Sequence, residues 1–192
     1  APKNLFDFRP DLKTAAMLFR LKERNAHTIF GAIGDELAKG GVTLIDALPW
    51  LGQAMPGGDF HLGPKLSRQQ QDDIAFGCRL AKEVSRLEIG QSIVVKEGTV
   101  LAVEGFEGTD ACLRRGGELA GPKGGAVAVK VARKNHDMRF DIPCIGRRSL
   151  ESCAASAIAV LAVESSKTIL LEHEEVESLS QAHGITVTTV TP

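Results

Sequence analysis

Residues 67 to 103 leave the chain little freedom of fold class. Ser67 and Gln70 have the Ser-x-x-Gln spacing of a capping box, and Ile74, Cys78, Ala81, Val84 and Leu87 recur at helical spacing, so a helix runs to about residue 87. Two strand-like runs follow at once, QSIVVKEG and TVLAVE, with Glu97-Gly98 at a tight turn between them. Downstream the pattern alternates. A short helix extends from about Asp110 to Arg115, a flexible loop GGELAGPKGGA covers 116–126, and AVAVKVA resumes a strand. A helix around 147–156, the strands IAVLAV and TILLE, a helix around 173–183 and a closing strand ITVTTV complete the chain. Gly184 stands where a helix-ending glycine belongs, with His183 in the last turn and Glu174, Glu175 and Glu177 in the first. This order predicts an α/β domain in which helices pack on a mixed sheet.

The first third reads differently. Leu12, Ala15, Ala16 and Phe19 mark one short amphipathic helix, and Ile29, Ile33 and Leu37 mark another that stops at Gly40-Gly41. VTLIDA, residues 42–47, reads as a strand. The next stretch, to about residue 66, is dense in Pro and Gly and has no period. The expected organisation is a piece at 1–50, a linker at 51–66 and a C-terminal α/β domain at 67–192.

Charge and cysteines exclude several function classes. Acids and bases nearly cancel at a formal net charge of -1, and the basic residues are scattered, so nucleic acid is not an expected partner. Cys78, Cys112, Cys144 and Cys153 form no Cys-x-x-Cys pair and lie in apolar stretches, which predicts buried free thiols in a reducing compartment, without disulfides or zinc. The longest apolar stretch, ASAIAVLAV, is far short of the roughly 20 residues that span a bilayer, and no signal peptide is visible. The expected location is the cytosol. The chain opens without Met and without a strand before its first helix, and so reads as a trimmed piece of something longer.

Three places hold more polar chemistry than a fold requires. In EGFEGTDACLRR, Glu104, Glu107 and Asp110 are three positions apart and lead to Arg114 and Arg115. Capping by Thr109 or Asp110 accounts for one acid, but neighbouring like charges repel unless positive charge lies between them. In KVARKNHDMRFDIPCIG, Lys130, Arg133, Arg139 and Asp141 follow a strand in quick succession. Asp141 precedes Ile142-Pro143 on extended chain, flanked by apolar residues, where a half-buried carboxylate needs a partner. The glycine loop at 116–126 is read as a connector ahead of a phosphate cradle. The histidines lack metal-ligand spacing, and adjacency on a strand separates His136 from Asp137. Carboxylates near Arg and Lys, with no nucleophile motif, fit hydrolysis of a phosphate ester or anhydride assisted by a magnesium ion.

The succession LEIGQSIVVKEGTVLAVEGFEGTDACLRR, then GPKGGAVAVKVARKNHDMRFDIPCIG, then a helix, two strands and HGITVTTV resembles the bacterial UDP-2,3-diacylglucosamine pyrophosphatase family of lipid A biosynthesis, the magnesium-dependent type. The resemblance is strongest over residues 67–192. It implies that residues 1–50 are the last helices and strand of a Rossmann-like N-terminal domain, and that a chain so trimmed can lack half the cleft and, with it, activity of its own. It also implies hydrolysis to UMP and the acylated sugar 1-phosphate. The family's critical aspartate falls on Asp141, and its EGTDA segment on Glu107 to Ala111. Lys134 and His136 stand where many relatives are expected to carry Pro and Gln. The expected catalytic residues are Asp141, Asp110 and Glu104, with Asp141 and Asp110 on Mg2+. Thr109, Gln91, Lys130, Arg114 and Arg139 are the expected substrate contacts. An acylated substrate leaves room for peripheral contact with the inner membrane and for a homo-oligomer; Trp50, Leu51, Met55 and Phe60 are read first as core packing between lobes and second as the cover of an apolar groove. The alternatives are a module that binds without chemistry and a pyrophosphatase for another nucleotide-linked sugar.

Overall fold

The computed structural model describes residues 11–22, 26–51, 54–133, 139 and 142–192. They divide into two compact units, one holding the described residues up to Asp46 together with Arg139, the other holding the rest. In the first unit α1 spans Leu12–Phe19 and α2 spans Ala26–Lys39. Asp11 caps α1 by accepting from Thr14 N at 2.7 Å, and Glu36 of α2 pairs with Lys13 of α1 at 3.0 Å. The expected strand at 42–47 is not formed. Val42 to Asp46 joins no ladder, Val42 and Ile45 are exposed, and the apolar residues Leu12 and Phe19 of α1 are exposed as well. β-propensity expresses packing against neighbouring strands, and the described residues of this unit contain none.

The second unit contains α3 (Leu48–Leu51), β1 (His61–Leu62), α4 (Arg68–Arg86), β2 (Ser92–Lys96), β3 (Thr99–Val103), α5 (Thr109–Leu119) and β4 (Ala126–Lys130). Then come β5 (Cys144–Ile145), α6 (Arg147–Ala155), β6 (Ile158–Glu164), β7 (Ile169–Leu170), α7 (His173–His183) and β8 (Thr186–Val190). The main sheet has the order β1-β8-β6-β4-β2-β3, with β4, β6 and β8 parallel and the rest antiparallel; β5 and β7 form a small parallel pair. The mixed α/β architecture read from the sequence is the one observed.

Both faces of the sheet are covered, which is why its central strands are apolar throughout instead of alternating. On one face Ile93, Val95, Val127, Val129, Val160 and Ala162 pack with Ile74, Cys78 and Ala81 of α4. On the other, Val94, Ala128, Leu161 and Val163 pack with Cys112 and Leu113 of α5, Leu150 and Cys153 of α6, and Val176 of α7. The capping box at Ser67 and Gln70 starts α4, with Ser67 N donating to Gln70 Oε1 at 2.9 Å. The hairpin turns at Glu97 and Gly98, both with positive φ, and Asp73 of α4 accepts from both of their N–H groups at 2.8 Å. A buried helix carboxylate thus ties the hairpin to the opposite layer.

Three local expectations are corrected. The helix after Glu107 does not end at Arg115 but continues to Leu119, so Gly116 and Gly117 are buried helical residues and no phosphate cradle. A Cβ on Gly116 would stand 2.5 Å from Val94 Cβ, and one on Gly117 would stand 1.9 Å from Ser156 O, so the glycines let α5 lie directly on β2 and on the end of α6. The stretch read as a linker supplies β1, whose edge is stitched by the threonines of β8: Thr186 Oγ1 donates to Pro64 O at 2.8 Å and Thr189 Oγ1 to Gly57 O at 2.7 Å. Cys78, Cys112 and Cys153 are buried free thiols, but Cys144 is exposed, because in the two-residue strand β5 its side chain faces away from the buried Ile145. Phe60 packs on the core and meets the His173 ring edge-on at 6.1 Å, while Trp50 is exposed. Among the described residues no helix is long and apolar enough to cross a membrane.

Candidate active site

The parallel strands deliver their carboxyl ends to one edge of the sheet, where β4 closes at Lys130 and β6 at Glu164. Ser92, the first residue of β2, pairs with Lys130, and β3 ends beside it at Val103. Residues 104–108 then turn the chain into α5, so the helix N-terminus opens on the same edge. Crevices outside the carboxyl ends of strands are the usual ligand position in α/β sheets.

Thr109, the first residue of α5, is the hub. Its hydroxyl donates to Glu104 Oε1 at 2.9 Å, Lys130 Nζ lies 3.4 Å from Thr109 Oγ1, and Ser92 Oγ is also 3.4 Å away. Glu104 Oε2 accepts from Gln91 N at 3.2 Å, and Lys130 Nζ reaches Cys144 O at 3.5 Å. An ammonium, a hydroxyl and a carboxylate are thereby joined in series. The expected N-cap role of Thr109 or Asp110 is not observed. Gly108, at φ 84°, is the N-cap and supplies no side-chain acceptor. The first-turn N–H groups of α5 therefore keep the character of an anion site beside Lys130.

The acid cluster resolves into three separate pairings, so the like charges are held apart by donors and need no shared cation. Glu107 Oε1 accepts from Arg115 Nη2 at 2.7 Å, and its Oε2 accepts from Gly105 N at 3.0 Å. Hydrogen bonds from its own backbone N–H and from Arg115 hold the Glu107 carboxyl below its ordinary range. Asp110 turns the other way, its Oδ1 accepting from Ser152 Oγ of α6 at 3.0 Å. Beneath α5, burial and then the Glu104 carboxylate push the Cys112 thiol up to about 12, and burial followed by Asp110 does the same to Cys153.

Of the residues expected to act, the structure brings together Glu104, Thr109, Lys130 and the backbone of Gln91, whose carbonyl also accepts from Val131 N at 3.0 Å. Asp110 follows Thr109 in the chain but bonds across to α6, and Arg114 is exposed on α5. Arg139 is an exposed turn residue of the first unit. Asp141 lies outside the described residues. Sequence reasoning missed Ser92 and Ser152. The signal for Ser92 was its place at the mouth of the apolar run IVV, since a buried hydroxyl needs a partner. It also missed Glu164, buried at the same edge, which accepts from Lys82 Nζ at 2.9 and 3.1 Å, Lys167 Nζ at 3.0 Å and Ala132 N at 2.8 Å. Burial pushes this carboxyl up, but the Lys82, Lys167 and Ala132 donors outweigh it and leave it below its ordinary value.

Among the described residues no group of three or more His, Cys, Asp or Glu side chains could hold a metal ion. Magnesium needs fewer protein ligands, because it keeps several waters and takes one or two carboxylates together with substrate phosphate. Asp110 suits that demand, being an exposed carboxylate with Oδ1 engaged by Ser152. Glu104, with both oxygens engaged by internal donors, does not.

Fold and edge together define an α/β protein whose candidate site lies at the start of a helix on the carboxyl edge of its parallel strands. The sequence matches the LpxI N-terminal domain over residues 1–53 and the LpxI C-terminal domain over residues 59–188. It is 31% identical over 190 residues to the UDP-2,3-diacylglucosamine pyrophosphatase LpxI of Caulobacter vibrioides, an alignment that covers 94% of this chain and 67% of that protein. The chain belongs to the LpxI family.

Proposed function

We propose that this chain hydrolyses the pyrophosphate of UDP-2,3-diacylglucosamine, releasing UMP and 2,3-diacylglucosamine 1-phosphate. The observation that carries the reading is the meeting of Lys130, Thr109 and Glu104 at the uncapped start of α5, in a chain of the LpxI family. Lys130 and the first-turn N–H groups of α5 present positive charge to a phosphate. Because Thr109 gives its proton to Glu104, its oxygen keeps lone pairs for Lys130, and Glu104 acts as a positioning residue through that hydroxyl.

Asp141 is assigned the attacking water. The water oxygen bonds to one phosphorus and gives up a proton to the medium, the bridging P–O bond to that phosphorus breaks, and the departing phosphate keeps the bridging oxygen. Asp110 and Asp141 would hold magnesium, which when bound neutralises charge on the phosphate oxygens. Arg114, Arg139 and Gln91 complete the substrate contacts, and the acyl chains bring the protein to a membrane surface.

Phosphorus NMR of the protein with UDP-2,3-diacylglucosamine, with and without magnesium, tests this. UMP and the sugar 1-phosphate should appear together, and Asp141→Ala should slow their release on the order of a hundredfold or more with circular dichroism unchanged. An unaltered rate in that variant removes Asp141 from the mechanism. Wild-type protein that binds the substrate but never releases UMP, at any magnesium concentration, is a binding module and not a hydrolase.

A further inference from the structure

We propose that Phe106 is the platform on which the uracil ring of the substrate stacks, an assignment that rests on the pyrophosphatase reading above. An exposed apolar residue is ordinary on a protein surface, and Phe106, 79% exposed, would need no comment if it stood on a loose loop. Its loop is instead tied at every turn. Gly105 N donates to Glu107 Oε2 at 3.0 Å, and Arg115 Nη2 donates both to Glu107 Oε1 at 2.7 Å and to Val103 O at 2.8 Å. Gly108, at φ 84°, turns the chain into α5, and the bond of 2.9 Å from Thr109 Oγ1 to Glu104 Oε1 closes the loop at its base. Phe106 is the one residue from 104 to 109 whose side chain neither is absent nor enters these ties. The aromatic ring is therefore presented to solvent by a braced loop.

The base of that loop is the phosphate cluster itself. Consecutive Cα atoms are about 3.8 Å apart, so Phe106 Cα lies within about 7.6 Å of the Glu104 Cα and about 11.4 Å of the Thr109 Cα. These bounds keep Phe106 within the span of a nucleotide whose phosphate rests on Thr109 and Lys130.

A planar heterocycle and a hydrocarbon chain are both candidates for an exposed ring, and the surroundings favour the heterocycle. The loop neighbours of Phe106 are Gly105, Gly108 and the Glu107–Arg115 ion pair, which offer a chain of methylenes no continuing apolar surface and would lose hydration beneath it. A base needs one π face and tolerates polar groups at its rim, and base–aromatic stacking is sequence-tolerant because every base has such a face.

Titration calorimetry with UMP as the probe separates the two, using wild-type protein and the variants Phe106→Ala, Phe106→Leu and Phe106→Trp. Stacking requires that Ala and Leu both weaken UMP binding, by about fivefold to a hundredfold, and that Trp preserves it. The acylated glucosamine 1-phosphate, titrated in parallel, should bind the Ala variant as it binds wild type. If Leu rescues and the loss falls on the acylated sugar, the ring serves the acyl chains and the platform is refuted. If all variants bind UMP alike while the wild type turns substrate over, the platform alone fails. A wild type that neither binds nor releases UMP removes the pyrophosphatase reading and the platform with it.

Discussion

Glu164→Gln is the substitution from which the structure lets most be worked out. The carboxylate is 3% exposed and receives four hydrogen bonds: two from Lys82 Nζ, one from Lys167 Nζ and one from Ala132 N. Lys82 also donates to Ala132 O at 2.9 Å, so the knot grips both backbone polar groups of the residue two beyond Lys130. Breaking a buried ion pair by removing one partner costs about 3–5 kcal/mol. Lys82 is 24% exposed and Lys167 49%, so water takes over part of their solvation, and a loss of about 2 kcal/mol is the expectation. At a urea slope of about 2 kcal/mol/M, the midpoint moves down by about 1 M. The pH dependence has a definite sign. The folded-state pKa of Glu164 lies below its ordinary value of 4.5, so its contribution is present above that value and fades as pH falls through the lowered one. The gap between wild type and the Gln variant must therefore narrow in acid. Urea unfolding at neutral pH and at pH well below 4.5 measures both quantities. A gap under about 0.5 kcal/mol at neutral pH, or one that acid leaves unchanged, would refute the assignment of this pair as an anchor.

Two further outcomes follow from packing. Gly117→Ala should destabilise by about 1–3 kcal/mol, although alanine is the better helix former by about 1 kcal/mol, because the new methyl meets the Ser156 carbonyl, which is backbone and cannot swing away; thermal unfolding checks it, and a raised Tm would show that α5 can lift without cost. Of the four thiols, Cys144 should react with a thiol-specific reagent in the native protein and the other three only on unfolding; rapid native labelling of Cys112 or Cys153 would contradict the close packing under α5.

How much of this was legible in the sequence depends on whether the information was local. The capping box at Ser67 and Gln70, the Glu97-Gly98 turn and the helix end at Gly184 rest on interactions within a few residues, and each is where the sequence places it. The length of α5 was not legible. Two adjacent glycines weaken a helix intrinsically, and only Val94 and Ser156, distant in the chain, make their missing side chains an advantage. The strand expected at 42–47 failed for the converse reason, since a β-branched run needs neighbours that no local pattern reveals. In the candidate site, EGFEGTDACLRR stood out by charge density alone. That Glu104 serves Thr109, Glu107 serves Arg115 and Asp110 serves Ser152 required the loop and the α5–α6 contact.

The cluster at the carboxyl edge is held by parts that carry no chemistry of their own. Asp73 ties the hairpin to α4 and so fixes β2, whose first residue Ser92 lies beside Lys130 and Thr109. Gly116 and Gly117 set the height of α5 above β2, and with it the position of Thr109. Glu164 fixes Ala132 directly after the strand that ends in Lys130. A hydroxyl–carboxylate bond of 2.9 Å and a hydroxyl–ammonium approach of 3.4 Å tolerate little displacement, and hydrogen bonds weaken steeply with misalignment. The buried carboxylates Asp73 and Glu164 are thus part of the geometry of the candidate site: Asp73 accepts from the backbone N–H groups of Glu97 and Gly98, Glu164 from Ala132 N and from the ammonium groups of Lys82 and Lys167, and each fixes an element beside the cluster of Glu104, Thr109 and Lys130.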